Sequence, residues 1–286
     1  MSIDYTGTTD DVNSIGKSDE LDVTSTIIRN GNIPKLTKYY GNTIKIDEIK
    51  DGDYIPVGGS ILNDGYSIFE IADFKSPIIT DFMDKINHSL LKNQDNREFI
   101  KKDLKTKTNF NGDLFYTLFV MGLVFGKYFN KNKNKNNSSL EIRSNILKGD
   151  NNCLSEVLKN NEGMCVEISL LAQKFFQDNN IKSSLFNGEL LRNIDHEFGE
   201  QHTFLIISTE EGDFIFDPSN PFIYDNGIPF PKILKSNFLD EMKKGSNIYV
   251  ECEDIYFGKK FYYGNSTGLN IRPEFDIIKE KVVSLI

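Results

Sequence analysis

Cys165, His202 and Asp217 are the residues whose types and order could carry covalent chemistry. His202 follows Cys165 by 37 residues (202 − 165) and Asp217 follows His202 by 15 (217 − 202). A thiol nucleophile, a general base and a carboxylate that orients the base suit that order. Cys165 falls just inside the start of an expected helix in NNEGMCVEISLLAQKFFQDNN, with Asn160 or Asn161 as its expected cap and Glu162-Gly163 as a tight approach. Unpaired N–H groups and the helix dipole favour an anion there, which tilts the thiol towards thiolate. The same N–H groups could supply part of an oxyanion hole. His202 opens an expected strand, HTFLIIS, and Asp217 closes the next one, DFIFD, after the short turn TEEGD. In an antiparallel hairpin the start of one strand lies beside the end of the next, so counting back from the turn brings Asp217 near His202.

Other chemistry-bearing residues compete for these roles. Cys153 follows GDNN at a helix-start position but has no histidine and aspartate at following strand ends as its own set, and Cys252 sits mid-strand as a small packed hydrophobe. His88 lies on the polar side of a helix, where a lone histidine is an ordinary surface residue. His196, in NIDHEFGEQH, could join His202 and one acid around a metal, but the spacing matches no zinc motif. We therefore expect no metal and no cofactor.

The elements that must position these residues follow from patterning. Residues 1–35 are polar and weakly periodic, which reads as a flexible arm; residues 36–130 form a mainly helical N-terminal region. Short strands are expected over 43–49 and 66–74, and helices from Ser76-Pro77, over 96–105, and from Asn111 to about Phe129. The tract 131–139, NKNKNKNNSS in context, reads as a linker, and 140–286 as the catalytic domain. After Pro221 loop chemistry is expected, then a helix near 232–243, a strand pair over 247–263, and a C-terminal helix over 271–286.

Composition narrows the class further. A net charge of −9 and a pI near 5.0 argue against a nucleic-acid partner, which would want clustered Lys and Arg. Three cysteines do not make a disulfide framework and suit a reducing compartment. The chain opens on MSIDYTGTTDDVNS, without a basic-then-apolar signal, and its longest apolar run, Leu114 to Gly126, spans 13 residues. That is short of the roughly 20 a spanning helix needs, so the expectation is a soluble protein without membrane insertion.

The runs G-M-C-V-E-I, N-I-K-S-S-L-F, Q-H-T-F-L-I-I and G-D-F-I-F-D-P resemble the core of the transglutaminase-like cysteine enzymes over roughly residues 155–221. That resemblance implies an α+β fold with a papain-like core, the nucleophile helix packed on an antiparallel sheet. It implies Cys165 as nucleophile, His202 as base and Asp217 as orienting acid. The chain departs from the family in having no Trp, which leaves the oxyanion partner open between Gln201 and Asn152. The triad spacing is also similar to that of arylamine N-acetyltransferases, although those carry the cysteine early and Cys165 lies past the midpoint. The implied activity is acyl transfer from an amide: deamidation or crosslinking of a protein glutamine, or peptide-bond hydrolysis. The implied partner is a protein or peptide substrate, with residues 1–130 recognising it or a host protein. Such a chain acts in the cytoplasm, or as a bacterial effector delivered into another cell's. From another class, a non-catalytic binding module of the same fold would carry Cys165 as an unreactive thiol.

Overall fold

The computed structural model describes residues 38–40, 43–56, 69–92, 94–106, 108–129, 146, 152–191, 200–223, 229–243 and 249–264. The 1–35 arm, the 131–139 tract, the 271–286 helix and His196 lie outside them.

Four short strands come first: β1 (Lys38–Tyr40), β2 (Thr43–Ile46), β3 (Asp53–Pro56) and β4 (Phe69–Ala72). Helices α1 (Pro77–Lys92), α2 (Gln94–Lys105) and α3 (Gly112–Phe129) follow, then α4 (Leu154–Lys159) and α5 (Cys165–Asp178). The chain then runs through β5 (Ser183–Leu191), β6 (Glu200–Thr209), β7 (Gly212–Ile223), β8 (Pro229–Lys235), α6 (Phe238–Lys243), β9 (Val250–Asp254) and β10 (Lys260–Gly264).

The last six strands are antiparallel and close on themselves in the order β5-β10-β9-β8-β7-β6, with β6 returning to β5. β2 extends this sheet by pairing with the first half of β5, while β3 and β4 form a separate ribbon. Alternation along the barrel strands sends successive side chains to opposite faces. Phe186, Phe204, Ile206, Ile215, Leu234, Val250, Cys252 and Tyr263 form the interior cluster, with Phe238 of α6 packed on Phe186 and Phe204. Leu205, Ile207, Phe214 and Phe216 face outward into a larger cluster with α5 and with α1 and α3 from the N-terminal side. Residues on both sides of the 131–139 tract thus share one core.

The mixed helix and sheet architecture matches expectation, and so do helices α1, α2, α3 and α5 within a residue or two. Two expectations are corrected. The segment after Pro221 includes a strand, β8, and the helix behind it is only six residues long. Prolines 229 and 231 argue against a strand in sequence, because they donate no ladder hydrogen bond. β8 tolerates them because its first residues pair only with β7; its pairing with β9 begins at Leu234. Likewise β7 does not close at Asp217 but runs to Ile223 through an irregularity between Asp217 and Phe222. A bulge is where a strand accommodates Pro218.

Candidate active site

The position of Cys165 is fixed from the preceding turn. α4 ends at Asn160, and Asn161 takes the left-handed conformation at φ 52°. Its N–H reaches the Leu158 carbonyl and that of Glu162 reaches Val157, the closing pattern of a Schellman turn. Asn160 and Asn161 therefore end α4, and the cap of the next helix is Met164, whose N–H donates to Glu167 Oε2 at 2.8 Å. Above this turn lie the last aromatics of α3: Tyr128 Oη donates to the Leu158 carbonyl at 2.8 Å, and the Phe129 ring covers Gly163. Only a residue without a Cβ fits, since one built at 163 would lie 2.6 Å from Phe129 Cε1. Cys165 is then the first residue of α5, where backbone N–H groups point at whatever lies beyond the helix end.

β6 and β7 bring the other two residues together. Their ladder runs from Thr209 opposite Gly212 to Leu205 opposite Phe216 and stops there. Continued by one step, that register sets Asp217 across from Phe204, with His202 its diagonal neighbour on the same face. His202 Nε2 lies 2.8 Å from Asp217 Oδ2. Beyond the end of the ladder β6 is tied to α5 at Thr203, whose carbonyl accepts Ser169 Oγ–H at 3.1 Å. The thiol and the His202 ring are coupled electrostatically, each shifting the other's titration. Nε2 being taken by the carboxylate, Nδ1 is the ring nitrogen left for the sulfur. The three expected site residues thus come together, His202 and Asp217 by a hydrogen bond and Cys165 by its electrostatic coupling to His202.

Three further side chains, which spacing does not reveal, converge on Asp217. Tyr263 Oη donates to the same Oδ2 at 2.6 Å, and Ser219 Oγ donates to Oδ1 at 3.0 Å. Lys232 stands opposite Asp217 in the β7–β8 register, buried, with its ammonium 4.2 Å from the centre of the Phe261 ring. The alternation of β10 could have placed Tyr263 inside, but nothing local says which carboxylate its hydroxyl meets. Of the two oxyanion candidates, Asn152 is buried with its carbonyl accepting the Ile71 N–H, and the Gln201 side chain lies outside the described residues.

Electrostatics separates the three thiols. Burial alone would push Cys165 up, but the hydrogen bond and charge of His202, with the Thr203 N–H, outweigh it and hold the thiol below its ordinary value. Burial pushes Cys153 up to about 11, helped by Asp73, Glu70 and Glu156, and pushes Cys252 up to about 11 as well. His202 would be lowered by burial, yet the Asp217 charge and the bonds to Asp217 and Cys165 raise it to about 10. Asp217 is held well below the usual carboxylate range, burial being overcome by His202, Lys232 and Tyr263. The site favours a thiolate beside an imidazolium.

A groove of about 840 Å³ at the far end of β6, between α1, α3 and the β6–β7 turn, includes none of these residues. Among the described residues no cluster of His, Cys, Asp and Glu converges as a metal site, and no helix is long and apolar enough to cross a membrane. The chain matches no protein-family model, no curated protein and no solved structure.

Proposed function

We propose that this protein is a cysteine-dependent acyl-transfer enzyme of the transglutaminase-like kind, with Cys165 as nucleophile, His202 as acid and base, and Asp217 as the orienting carboxylate. The observation that carries this is the His202–Asp217 hydrogen bond together with the coupling of His202 to a thiol at the start of a buried helix. The thiolate attacks an amide carbonyl carbon, and the tetrahedral oxyanion faces the N–H groups of the first turn of α5. The imidazolium gives its proton to the leaving nitrogen as the C–N bond breaks, leaving a thioacyl-enzyme. Water as acceptor gives hydrolysis or glutamine deamidation; an amine gives crosslinking. A protein glutamine side chain or a peptide bond is the substrate class, with the N-terminal region as the recognition surface.

The direct test uses an activated acyl donor, para-nitrophenyl acetate, with peptide mass spectrometry. We expect a burst of nitrophenolate and acetylation confined to Cys165, both lost in Cys165→Ala. Acetyl groups spread evenly over Cys153, Cys165 and Cys252, or an inert Cys165, would favour a binding module without turnover.

A further inference from the structure

We propose that Tyr263 is a positioning residue for this site: its hydroxyl shares Asp217 Oδ2 with His202, holding the carboxylate in place and limiting how firmly the imidazolium keeps its proton. This rests on the catalytic assignment above and adds a fourth member drawn from the far end of the barrel chain, 61 residues beyond His202 (263 − 202).

Two donors on one oxygen carry the inference. Tyr263 Oη is 2.6 Å and His202 Nε2 2.8 Å from Asp217 Oδ2. The tyrosine is fully buried, its ring 4.9 Å from that of Phe204 and 6.2 Å from that of His202, so the hydroxyl has no solvent to turn to. Ser219, by contrast, serves the other oxygen. A carboxylate oxygen has a fixed amount of electron density to offer, and each donor weakens its hold on the other. An Asp217 answering to His202 alone would make the imidazolium a poor acid. The leaving nitrogen must take the proton from that imidazolium as the tetrahedral intermediate collapses, so an acid held too tightly slows acylation. The charged groups around the pair are Cys165 and Glu167 on α5, His202 on β6, Asp217 on β7 and Lys232 on β8. Lys232 already stabilises the carboxylate as a charge, through space; Tyr263 does so at the one atom His202 uses.

Tyr263→Phe keeps the ring and removes only the hydroxyl. The readout is NMR titration of His202 in protein labelled at histidine nitrogen, which is tractable because the chain has three histidines. We expect the His202 midpoint to rise by up to about one to two pH units, the size of one hydrogen bond to a charged group. Ser219→Ala should move it less. A midpoint that stays or falls in folded Tyr263→Phe would overturn the assignment and leave Tyr263 as packing. Should Tyr263→Phe fail to fold, 3-fluorotyrosine placed at 263 alone is a stronger donor of nearly the same shape; it should lower the midpoint, and an unmoved one would overturn the idea equally. The titration needs no turnover. If Cys165 proves inert to acyl donors, the midpoint still reports whether Tyr263 competes for Asp217.

Discussion

Replacing His202 with alanine isolates what makes Cys165 different from the other cysteines. In the intact site the His202 charge and hydrogen bond overcome a burial penalty that would otherwise raise the thiol. Cys153 and Cys252 show the trend without a cationic partner: burial, helped at Cys153 by the nearby carboxylates, pushes both up to about 11. In His202→Ala, Cys165 should join them. At pH 7 a thiol of that value is thiolate in about one molecule in ten thousand, against more than about one in a hundred for a thiol below 9. The more basic thiolate is intrinsically the better nucleophile, which returns about tenfold over that interval. Alkylation of Cys165 by iodoacetamide at pH 7 should therefore slow at least about tenfold, and further the lower the wild-type value lies. Folding should survive, because Asp217 keeps Tyr263, Ser219 and Lys232 as partners when the ring is gone. The assay follows alkylation cysteine by cysteine by mass spectrometry between pH 5 and 9. A Cys165 rate that His202→Ala leaves unchanged, or a wild-type Cys153 that reacts as fast as Cys165, would refute the thiolate–imidazolium pair.

Two further outcomes follow from the same geometry. Gly163→Ala would place a Cβ 2.6 and 2.9 Å from two carbons of the Phe129 ring, which is itself packed on Phe82, Phe125 and Tyr128. We expect a loss of about 1–3 kcal/mol in urea unfolding together with slower Cys165 alkylation, both partly recovered by adding Phe129→Leu; an unchanged midpoint would mean the turn has room. His202 binds its proton more firmly folded than at its ordinary 6.5, so its stabilisation is complete below that pH and is lost as pH rises towards about 10. Asp217 acts the other way, stabilising above its ordinary 3.8 and losing that contribution in strong acid. The Cys165 thiol titrates against His202, so Cys165→Ser is the clean background. Its urea midpoint should fall across the window above 6.5, and adding Asp217→Asn should flatten that decline; a level midpoint in Cys165→Ser would contradict the pairing.

Much of the site is local in origin, which is why it was legible along the chain. The helix that carries Cys165 is written in the spacing of Ile168, Leu171 and Phe175, all buried on α5. The two-residue connection Glu210-Glu211 between β6 and β7 leaves one register, and that register alone sets Asp217 diagonal to His202. Local signals misled where neighbours decide: Asn160 and Asn161 have the chemistry of a helix start yet close the helix before, the Asn161 N–H meeting the Leu158 carbonyl and the Asn160 side chain donating to the Glu156 carbonyl. Prolines 229 and 231 argue for a loop unless β8 is known to be half an edge strand.

The order, types and spacing of Cys165, His202 and Asp217 are thus properties of the sequence, since a helix start and a hairpin are built from contacts close along the chain. Barrel closure is not, because β5 must pair with β6 on one edge and with β10 on the other, and no local pattern specifies a partner some 70 residues away (262 − 191 = 71). That closure delivers Tyr263 to the buried side of Asp217, while Lys232 arrives from the neighbouring strand β8. It also sets the pKa values of the site, because a carboxylate's hold on an imidazolium depends on burial and on every other donor it meets in three dimensions.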